Sequence, residues 1–162
     1  MVTLTVNGRR VETDADPTMP LLYLLRDELQ LNGAKYGCGV GQCGSCAVLV
    51  DGRSSFSCLL PVAALEGREV VTLEGLGAGE KPGSVQAAFI AEQAAQCGYC
   101  IPGMIIAVEG LLRRNASPDE AAIREALQPH LCRCGTHARI LRAALRVTTP
   151  PAASAKLEGS KP

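Results

Sequence analysis

This sequence has no excess of charge of either sign and no long hydrophobic run. Its 16 Lys and Arg residues balance 16 Asp and Glu residues among 162, so no net electric field draws the chain to nucleic acid or to an anionic membrane surface. No stretch approaches the roughly 20 apolar residues that a membrane-spanning helix needs. The hydrophobic content of 47% is enough to bury a core, which predicts a soluble globular protein.

The chain also lacks an export signal at its start. The first residues, MVTLTVNGRRVETDAD, contain no apolar stretch behind the arginine pair, so we expect no signal peptide. We therefore expect a cytoplasmic, reducing location, and export or membrane tethering through a partner stays open. In such a compartment, eight cysteines in a chain of this size favour metal binding over disulfide bonds. A disulfide scaffold is the alternative, but such scaffolds are usually shorter secreted chains.

The first half of the chain has the pattern of a small mixed sheet crossed by one helix. Apolar and polar residues alternate around Asn7-Gly8, a pair typical of the type I′ turn of a β-hairpin. Leucines at helical spacing then predict a helix that stops at Asn32-Gly33. A glycine-dense loop and a second hairpin, which turns at Asp51-Gly52, follow. The predicted elements are hairpin 2–12, helix 20–31, hairpin 46–58 and strand 69–73.

The second half of the chain is predicted to be all-α. Residues 77–83 have the composition of a linker, and beyond them the apolar residues keep helical spacing. Ser117-Pro118-Asp119-Glu120 is a capping-box signature that opens the third of four helices. Four helices make a compact bundle, whereas the composition of residues 148–162 predicts a mobile tail. The predicted helices are 84–95, 102–114, 117–127 and 136–147.

Four of the cysteines have the spacing of a plant-type [2Fe–2S] ferredoxin. Cys38, Cys43 and Cys46 share one glycine-rich loop, and Cys58 follows on the far strand of the second hairpin, which gives C-x4-C-x2-C…C. Thiolates are soft ligands that suit iron–sulfur chemistry, and glycines let the backbone curl closely around a cluster. Zinc is the alternative, but zinc motifs favour two separate C-x2–4-C knuckles.

The other four cysteines form a C-x2-C pair and a C-x-C pair. Cys97 and Cys100 make up the first pair, and Cys132 and Cys134 the second. Taken alone, this pattern leaves open a second cluster, a zinc site or a redox dithiol. Each pair falls at a helix junction, where unpaired N–H groups at helix starts favour the negative charge of a thiolate-ligated cluster. The position of the two pairs thus suits a cluster, and the spacing by itself leaves the three interpretations open.

Three stretches carry a resemblance to a known family: GAKYGCGVGQCGSCAVLVDG, AAQCGYCIPGMIIA and HLCRCGTHARIL. Over residues 1–147 the chain resembles the small iron–sulfur subunit of the xanthine oxidase family of molybdenum hydroxylases. All eight cysteines fall at the ligand positions of that family. The resemblance implies an α+β fold, in which an N-terminal β-grasp ferredoxin-like domain at 1–76 is followed by a C-terminal four-helix bundle at 84–147 with approximate two-fold symmetry.

The resemblance also implies a direction for electron flow and a set of partners. The cluster of the helical domain would lie nearer the molybdenum cofactor, and the ferredoxin-like cluster nearer the electron acceptor. Gln96 matches a glutamine that hydrogen-bonds the pterin, and Cys134 matches a ligand that touches the pterin amino group. A large subunit would hold the molybdopterin, expected as the cytosine dinucleotide, together with the substrate site. The acceptor would be a FAD subunit or a cytochrome c subunit. A free-standing two-cluster ferredoxin is the alternative function.

The segment Cys132-Arg133-Cys134-Gly135-Thr136-His137 departs from the Cys-Arg-Cys-Thr-Gly-Tyr of many family members. It is more similar to the isoquinoline, nicotinate or cytochrome-linked aldehyde dehydrogenase branches, which implies oxidation of an N-heterocycle or an aldehyde. Tyr99, inside the C-x2-C pair, is expected to shield a metal group. His130 and His137 are expected in packing or surface roles, because eight cysteines already complete two sites.

Overall fold

The computed structural model describes residues 1–78 and 81–148. The strands of the first half are β1 (Val2–Val6), β2 (Arg9–Thr13), β3 (Ala47–Val50), β4 (Arg53–Phe56) and β5 (Glu69–Val71). They form one five-stranded sheet with the strand order β2-β1-β5-β3-β4. All pairs are antiparallel except β1 with β5, which run parallel. The parallel pair needs a crossover, and the helix and the cysteine loop lie on that crossover.

Both predicted hairpins are present, and their turns have the conformation that the sequence indicates. Asn7 and Gly8 have φ angles of 50° and 75°, and Asp51 and Gly52 have 48° and 78°. Two successive positive φ values define the type I′ turn, whose twist matches that of the strands it joins.

The predicted helix from Pro20 to Leu31 is shorter than expected. An α-helical turn, α1 (Leu21–Tyr23), continues as a π-helix over Leu24–Glu28. It ends there because Gln30 has a φ of 56°, in the left-handed region where a right-handed helix cannot continue. The prediction of a stop at Asn32-Gly33 is therefore wrong by several residues.

The sheet is covered on both faces. On one face, strand residues such as Leu4 and Val48 pack against Leu21, Leu22 and neighbouring leucines of the helix. On the other face, Ala47, Leu49 and Val71 pack around Ile106 of the helical half. Every residue of β3 is consequently buried, as expected for a strand packed on both sides.

The helical half contains the four predicted helices. They are α2 (Ser84–Ala91), α3 (Ile101–Leu112), α4 (Glu120–Leu127) and α5 (His137–Thr148). Helix α2 ends four residues before its predicted end, because Gln93 has a φ of 48°. Helix α5 continues through Thr148, so the predicted tail cannot begin there, and residues 149–162 lie outside the described residues. The fold is thus a ferredoxin-like domain followed by a helical domain, and the two-fold bundle stays a prediction.

The cap of α4 differs from the predicted capping box. Asp119, not Ser117, is the N-cap residue, and its Oδ1 accepts a hydrogen bond of 2.8 Å from the N–H of Ala122. A carboxylate at this position also favours the positive end of the helix dipole. The helix therefore begins at Glu120, three residues later than predicted.

Removal of this cap should destabilise the helical half. We expect Asp119→Ala to lower the free energy of unfolding by about 1 kcal/mol, because the first turn of α4 loses a hydrogen-bond acceptor. Urea unfolding followed by circular dichroism measures the difference. Ser117→Ala is the matched control and should change stability little. An equal loss in both variants would show that the capping box, rather than Asp119 alone, stabilises the helix start.

Among residues 1–78 and 81–148, no helix combines the length and the apolar character that crossing a membrane requires. The predicted linker over 77–83 is only partly described, since residues 79 and 80 lie outside the described part. The division into domains at 1–76 and 84–147 therefore stays a prediction.

Candidate iron–sulfur centres

The second hairpin brings the two ends of the first cysteine quartet together. Cys46 directly precedes β3 and Cys58 follows β4 by two residues. Between them, the N–H and the hydroxyl of Ser57 both donate to the Cys46 carbonyl oxygen, at 3.3 and 2.7 Å. Both thiols are buried, and burial raises the pKa of Cys46 to about 11. The Cys46 and Cys58 side chains interact with each other.

Cys38 and Cys43 lie in the glycine-rich loop, where backbone N–H groups point at sulfur. The N–H groups of Val40 and Gln42 donate to Cys38 Sγ at 3.4 and 3.2 Å, and the N–H of Cys38 donates to Cys43 Sγ at 3.3 Å. The hydrogen bonds from Val40 and Gln42 lower the pKa of Cys38 to about 7. Since the thiolate is the form that binds metal, the loop favours the ligating state before any metal arrives.

Gly37 shows how closely this loop is wound. A Cβ atom at this position would lie 2.6 Å from Cys43 Sγ, which is shorter than any real contact between those atoms. Only glycine leaves room for the sulfur, so the loop is shaped around its thiols.

The second quartet is assembled from two helix junctions. Cys97 and Cys100 precede α3, with Cys100 at the N-cap, and Cys132 and Cys134 lie in the loop before α5. Cys97 and Cys134 are exposed, whereas the other two are half-buried. The four cysteines of this quartet therefore lie at two helix junctions, and their assignment to one cluster stays a prediction.

Within this quartet the thiols interact in two pairs. Side-chain interactions join Cys97 to Cys134 and Cys100 to Cys132, and weaker charge interactions link Cys97 to Cys100 and Cys132. A hydrogen bond from the Tyr99 N–H lowers the pKa of Cys97, and burial raises the pKa of Cys100 to about 12.

Cys132 interacts with Cys100, and its pKa is shifted in the opposite direction. Burial raises its pKa, but hydrogen bonds from Thr136, from Cys100 and from further backbone groups outweigh burial, so the pKa of Cys132 is lowered. Each quartet therefore contains at least one thiol whose pKa is lowered by hydrogen bonds and one whose pKa is raised by burial. A bound metal group would have to displace the protons of the buried thiols.

The paired arrangement fits a [2Fe–2S] cluster. In such a cluster four cysteines are shared between two irons, two to each iron, and in both quartets the thiols interact two by two. All eight cysteines are free of disulfide bonds. The donor set and its pairing thus suit two clusters.

Gln96 stands beside the exposed pair of the second quartet. Its side-chain Nε2 donates to the carbonyl oxygen of Cys134 at 3.2 Å. This hydrogen bond fixes the orientation of the amide, so Oε1 is left as an acceptor. Gln96, Cys97 and Cys134 are all exposed, which places both predicted cofactor-contacting residues on one open surface.

The two quartets are joined by a main-chain contact. The N–H of Leu131 donates to the carbonyl oxygen of Cys43 at 3.0 Å, and Leu131 directly precedes Cys132. The His130 ring lies against Gly44 and meets Phe56 edge-on at 5.8 Å between ring centroids. Only 4% of His130 is exposed, and burial lowers its pKa to about 4. The predicted packing role of His130 is therefore confirmed.

Helix α3 approaches the same loop from another side. A Cβ atom on Gly103 would lie 2.1 Å from the carbonyl oxygen of Gly44, so the first turn of α3 rests on the backbone of the cysteine loop. A side-chain contact, from the Tyr99 hydroxyl to the Tyr36 carbonyl oxygen, was not predicted from the sequence. The two tyrosines are 63 residues apart in the sequence, so no local sequence pattern could have predicted the contact.

Comparisons with known proteins match two domain families to successive parts of the chain. Residues 4–72 match the 2Fe-2S iron-sulfur cluster binding domain, and residues 72–145 match the [2Fe-2S] binding domain. Together these two families cover nearly all of the described residues.

The chain is also similar to components of named oxidoreductases. It is 54% identical over 145 residues to one component of the nicotinate dehydrogenase of Pseudomonas putida, covering 90% of this chain and 92% of the relative. It is 41% identical over 141 residues to the alpha subunit of isoquinoline 1-oxidoreductase of Brevundimonas diminuta, covering 86% and 92%. The crystal structure of quinoline 2-oxidoreductase from Pseudomonas putida 86 matches with a TM-score of 0.85 at 36% identity, covering 90% of both chains. The chain therefore belongs to the family of [2Fe–2S] electron-transfer subunits of the molybdenum hydroxylases.

Proposed function

We propose that the chain relays single electrons from a molybdenum–pterin cofactor in a large partner subunit to a flavin or cytochrome c acceptor. The observation that carries this proposal is the position of the two quartets. One is open to solvent beside Gln96, and the other is joined to it by the hydrogen bond from Leu131 to Cys43. Such a series of two centres is the arrangement that a relay needs.

Each quartet would hold one [2Fe–2S] cluster. A bound cluster supplies a site that accepts and releases one electron, at a potential set by charge, hydrogen bonds and exposure. The protein contributes backbone N–H groups at Cys38 and Cys43. The outer ligands would be Cys38, Cys43, Cys46 and Cys58, held by a domain at 1–76. The inner ligands would be Cys97, Cys100, Cys132 and Cys134, held by a domain at 84–147.

The open surface at Gln96 is the proposed contact with the partner's pterin. Gln96 Oε1 is free to accept a hydrogen bond from a pterin N–H group, since Nε2 is engaged by Cys134. Cys134 is exposed beside it, so its thiolate is within reach of the same ligand. We propose molybdopterin cytosine dinucleotide as the partner's cofactor, on the basis of the family resemblance.

The proposed substrate class is an N-heterocycle or an aldehyde, oxidised on the large subunit. The relatives named for nicotinate and isoquinoline support the first of these classes. At the other end of the relay, the cysteine loop exposes Val40, Leu59 beside Cys58 is also exposed, and no charged residue lies between Tyr36 and Cys46. We propose this surface as the side from which electrons leave.

Purification from the native cell tests the proposal. An affinity-tagged chain should yield about four irons per chain, two distinct EPR signals after reduction, and a co-purifying large subunit that contains molybdenum. A monomeric chain that carries both clusters but no molybdenum-containing partner would instead indicate a free-standing ferredoxin. Stoichiometric zinc in place of iron would refute both functions.

Gln96 offers a sharper test of the pterin contact. We expect Gln96→Leu to keep both EPR signals and the molybdenum-containing partner, because Gln96 provides no proposed ligand. Reduction of the inner cluster by substrate in the purified complex should slow several-fold, since the cofactor contact loses a hydrogen bond worth about 0.5–1.5 kcal/mol. Stopped-flow absorbance measures the rate. Gln128→Leu, at an exposed glutamine whose backbone is helical, is the control, and equal rates in wild type and Gln96→Leu would contradict the pterin contact.

A further inference from the structure

The inner and outer cysteine loops are joined by a side-chain contact as well as by the main-chain contact at Leu131. Tyr99 lies between Cys97 and Cys100 in the inner quartet, and its hydroxyl donates a hydrogen bond to the carbonyl oxygen of Tyr36. Tyr36 lies two residues before Cys38, the first ligand of the outer quartet. We propose that the Tyr99 hydroxyl is a positioning group that fixes the spacing between the two clusters, an inference that rests on the proposed function.

The acceptor of this hydrogen bond is itself firmly placed. The N–H of Lys35, next to Tyr36, donates to the carbonyl oxygen of Ser45 at 2.9 Å, which ties the start of the cysteine loop to its end. The Tyr36 ring lies against Gly39 and stacks on Tyr23, with 6.4 Å between ring centroids. A hydrogen bond to the Tyr36 carbonyl oxygen therefore restrains the position of the whole cysteine loop.

The Tyr99 contact and the Leu131 contact act on opposite parts of the same loop. Leu131, next to Cys132, donates a hydrogen bond to the carbonyl oxygen of Cys43. Tyr99, next to Cys100, donates one to the carbonyl oxygen of Tyr36, which precedes the loop. Each half of the inner quartet is thus attached separately to the outer loop. His130 and Gly103 also pack against Gly44, and the Tyr99 hydrogen bond adds an attachment at the residues that precede Cys38.

The Tyr99 hydroxyl can be removed without disturbing the fold. Both tyrosines are about half exposed, at 49% each, so water can hydrate the Tyr36 carbonyl when the hydroxyl is absent. Loss of one hydrogen bond whose acceptor is rehydrated lowers stability only slightly, and the phenyl ring keeps its packing. Tyr99→Phe therefore tests the spacing of the centres separately from their assembly.

The test uses the full chain loaded with iron and sulfide, fully reduced with dithionite. When both clusters are paramagnetic, their magnetic interaction splits the low-temperature EPR lines, and the splitting falls steeply with distance. We expect Tyr99→Phe to keep the iron content of wild type but to show a smaller and broader splitting. Tyr23→Phe, which removes a hydroxyl from the same group of tyrosines, should match wild type.

Hydrogen–deuterium exchange of the same samples provides a second readout. Residues 33–45 should exchange faster in Tyr99→Phe, whereas the strands of the sheet should be unaffected. A splitting equal to that of wild type would overturn the inference, even if exchange were faster, because the hydroxyl would then hold the loop without setting the spacing. If the wild-type chain bound no iron, the proposed function would fail and the inference with it, so the two failures are distinguishable.

Discussion

Replacing Cys43 with serine should abolish one EPR signal of the reduced chain and leave the other intact. Cys43 lies in the outer quartet, and its Sγ accepts the N–H of Cys38 at 3.3 Å. A serine hydroxyl is a poor substitute for a soft thiolate ligand of iron. Iron should fall from about four to about two per chain, as one cluster per quartet requires. Metal analysis and low-temperature EPR of the same sample measure both effects.

The reciprocal variant makes this prediction specific. Cys97→Ser should remove the other signal, because Cys97 belongs to the inner quartet. Circular dichroism and the thermal midpoint establish that each variant is folded. Loss of both signals from a folded Cys43→Ser chain would contradict two independent sites. Retention of both would mean that Cys43 is no ligand.

Gly103→Ala should destabilise the helical half, although alanine favours a helix more than glycine does. Its Cβ would lie 2.1 Å from the Gly44 carbonyl oxygen, which is backbone and cannot rotate away. Alanine gains about 1 kcal/mol over glycine in helix propensity, but overpacking of this kind costs about 1–3 kcal/mol or more. We expect a net loss of stability and a weaker contact between α3 and the cysteine loop, measured by thermal unfolding and by the splitting of the EPR lines.

Gly110 provides the matched control in the same helix. A Cβ there would meet Leu49 Cδ2 and the Ser54 backbone N at 3.1 Å, so the neighbours need to yield only slightly. Gly110→Ala should therefore be near neutral, with the gain in helix propensity offsetting the tight contact. If Gly103→Ala were as stable as Gly110→Ala, α3 would not rest on the loop as the structure describes.

The elements that the sequence predicted well are those with a local signal. The turns at Asn7-Gly8 and Asp51-Gly52 need two positive φ angles, and those dipeptides adopt them readily. The spacing of Cys38, Cys43, Cys46 and Cys58 was likewise sufficient to indicate a ferredoxin-type quartet, whereas the second quartet needed the family resemblance to be interpreted. The family that this resemblance named is confirmed.

The helix ends were missed for a common physical reason. Gln30 and Gln93 have φ angles of 56° and 48°, in a region that glycine or asparagine usually occupies. The Gln30 amide donates to the nearby Asp27 carbonyl oxygen, and the Gln93 carbonyl oxygen accepts from Arg139, so neither helix end carries the usual glycine signal. A pattern of apolar residues therefore extends beyond the point at which each helix stops.

The pairing of thiols and the contact between loops also could not be predicted. The side-chain interactions of Cys97 with Cys134 and of Cys100 with Cys132 depend on how two distant helix junctions meet, and spacing along the chain does not determine them. The approach of Gly103 to Gly44 likewise joins residues whose local sequences show no relation. The ligand assignment itself, the pterin contact and the compartment stay predictions.

The hydrogen bond from Leu131 to Cys43 has a consequence for divergence among related chains. Both of its atoms are main-chain atoms, so no change of side chain deletes them, and only proline at position 131 would remove the donor. The side chains on the surfaces around the two centres can therefore change to suit new redox partners. The hydrogen bond between Leu131 and Cys43 is kept as long as the backbone keeps its conformation.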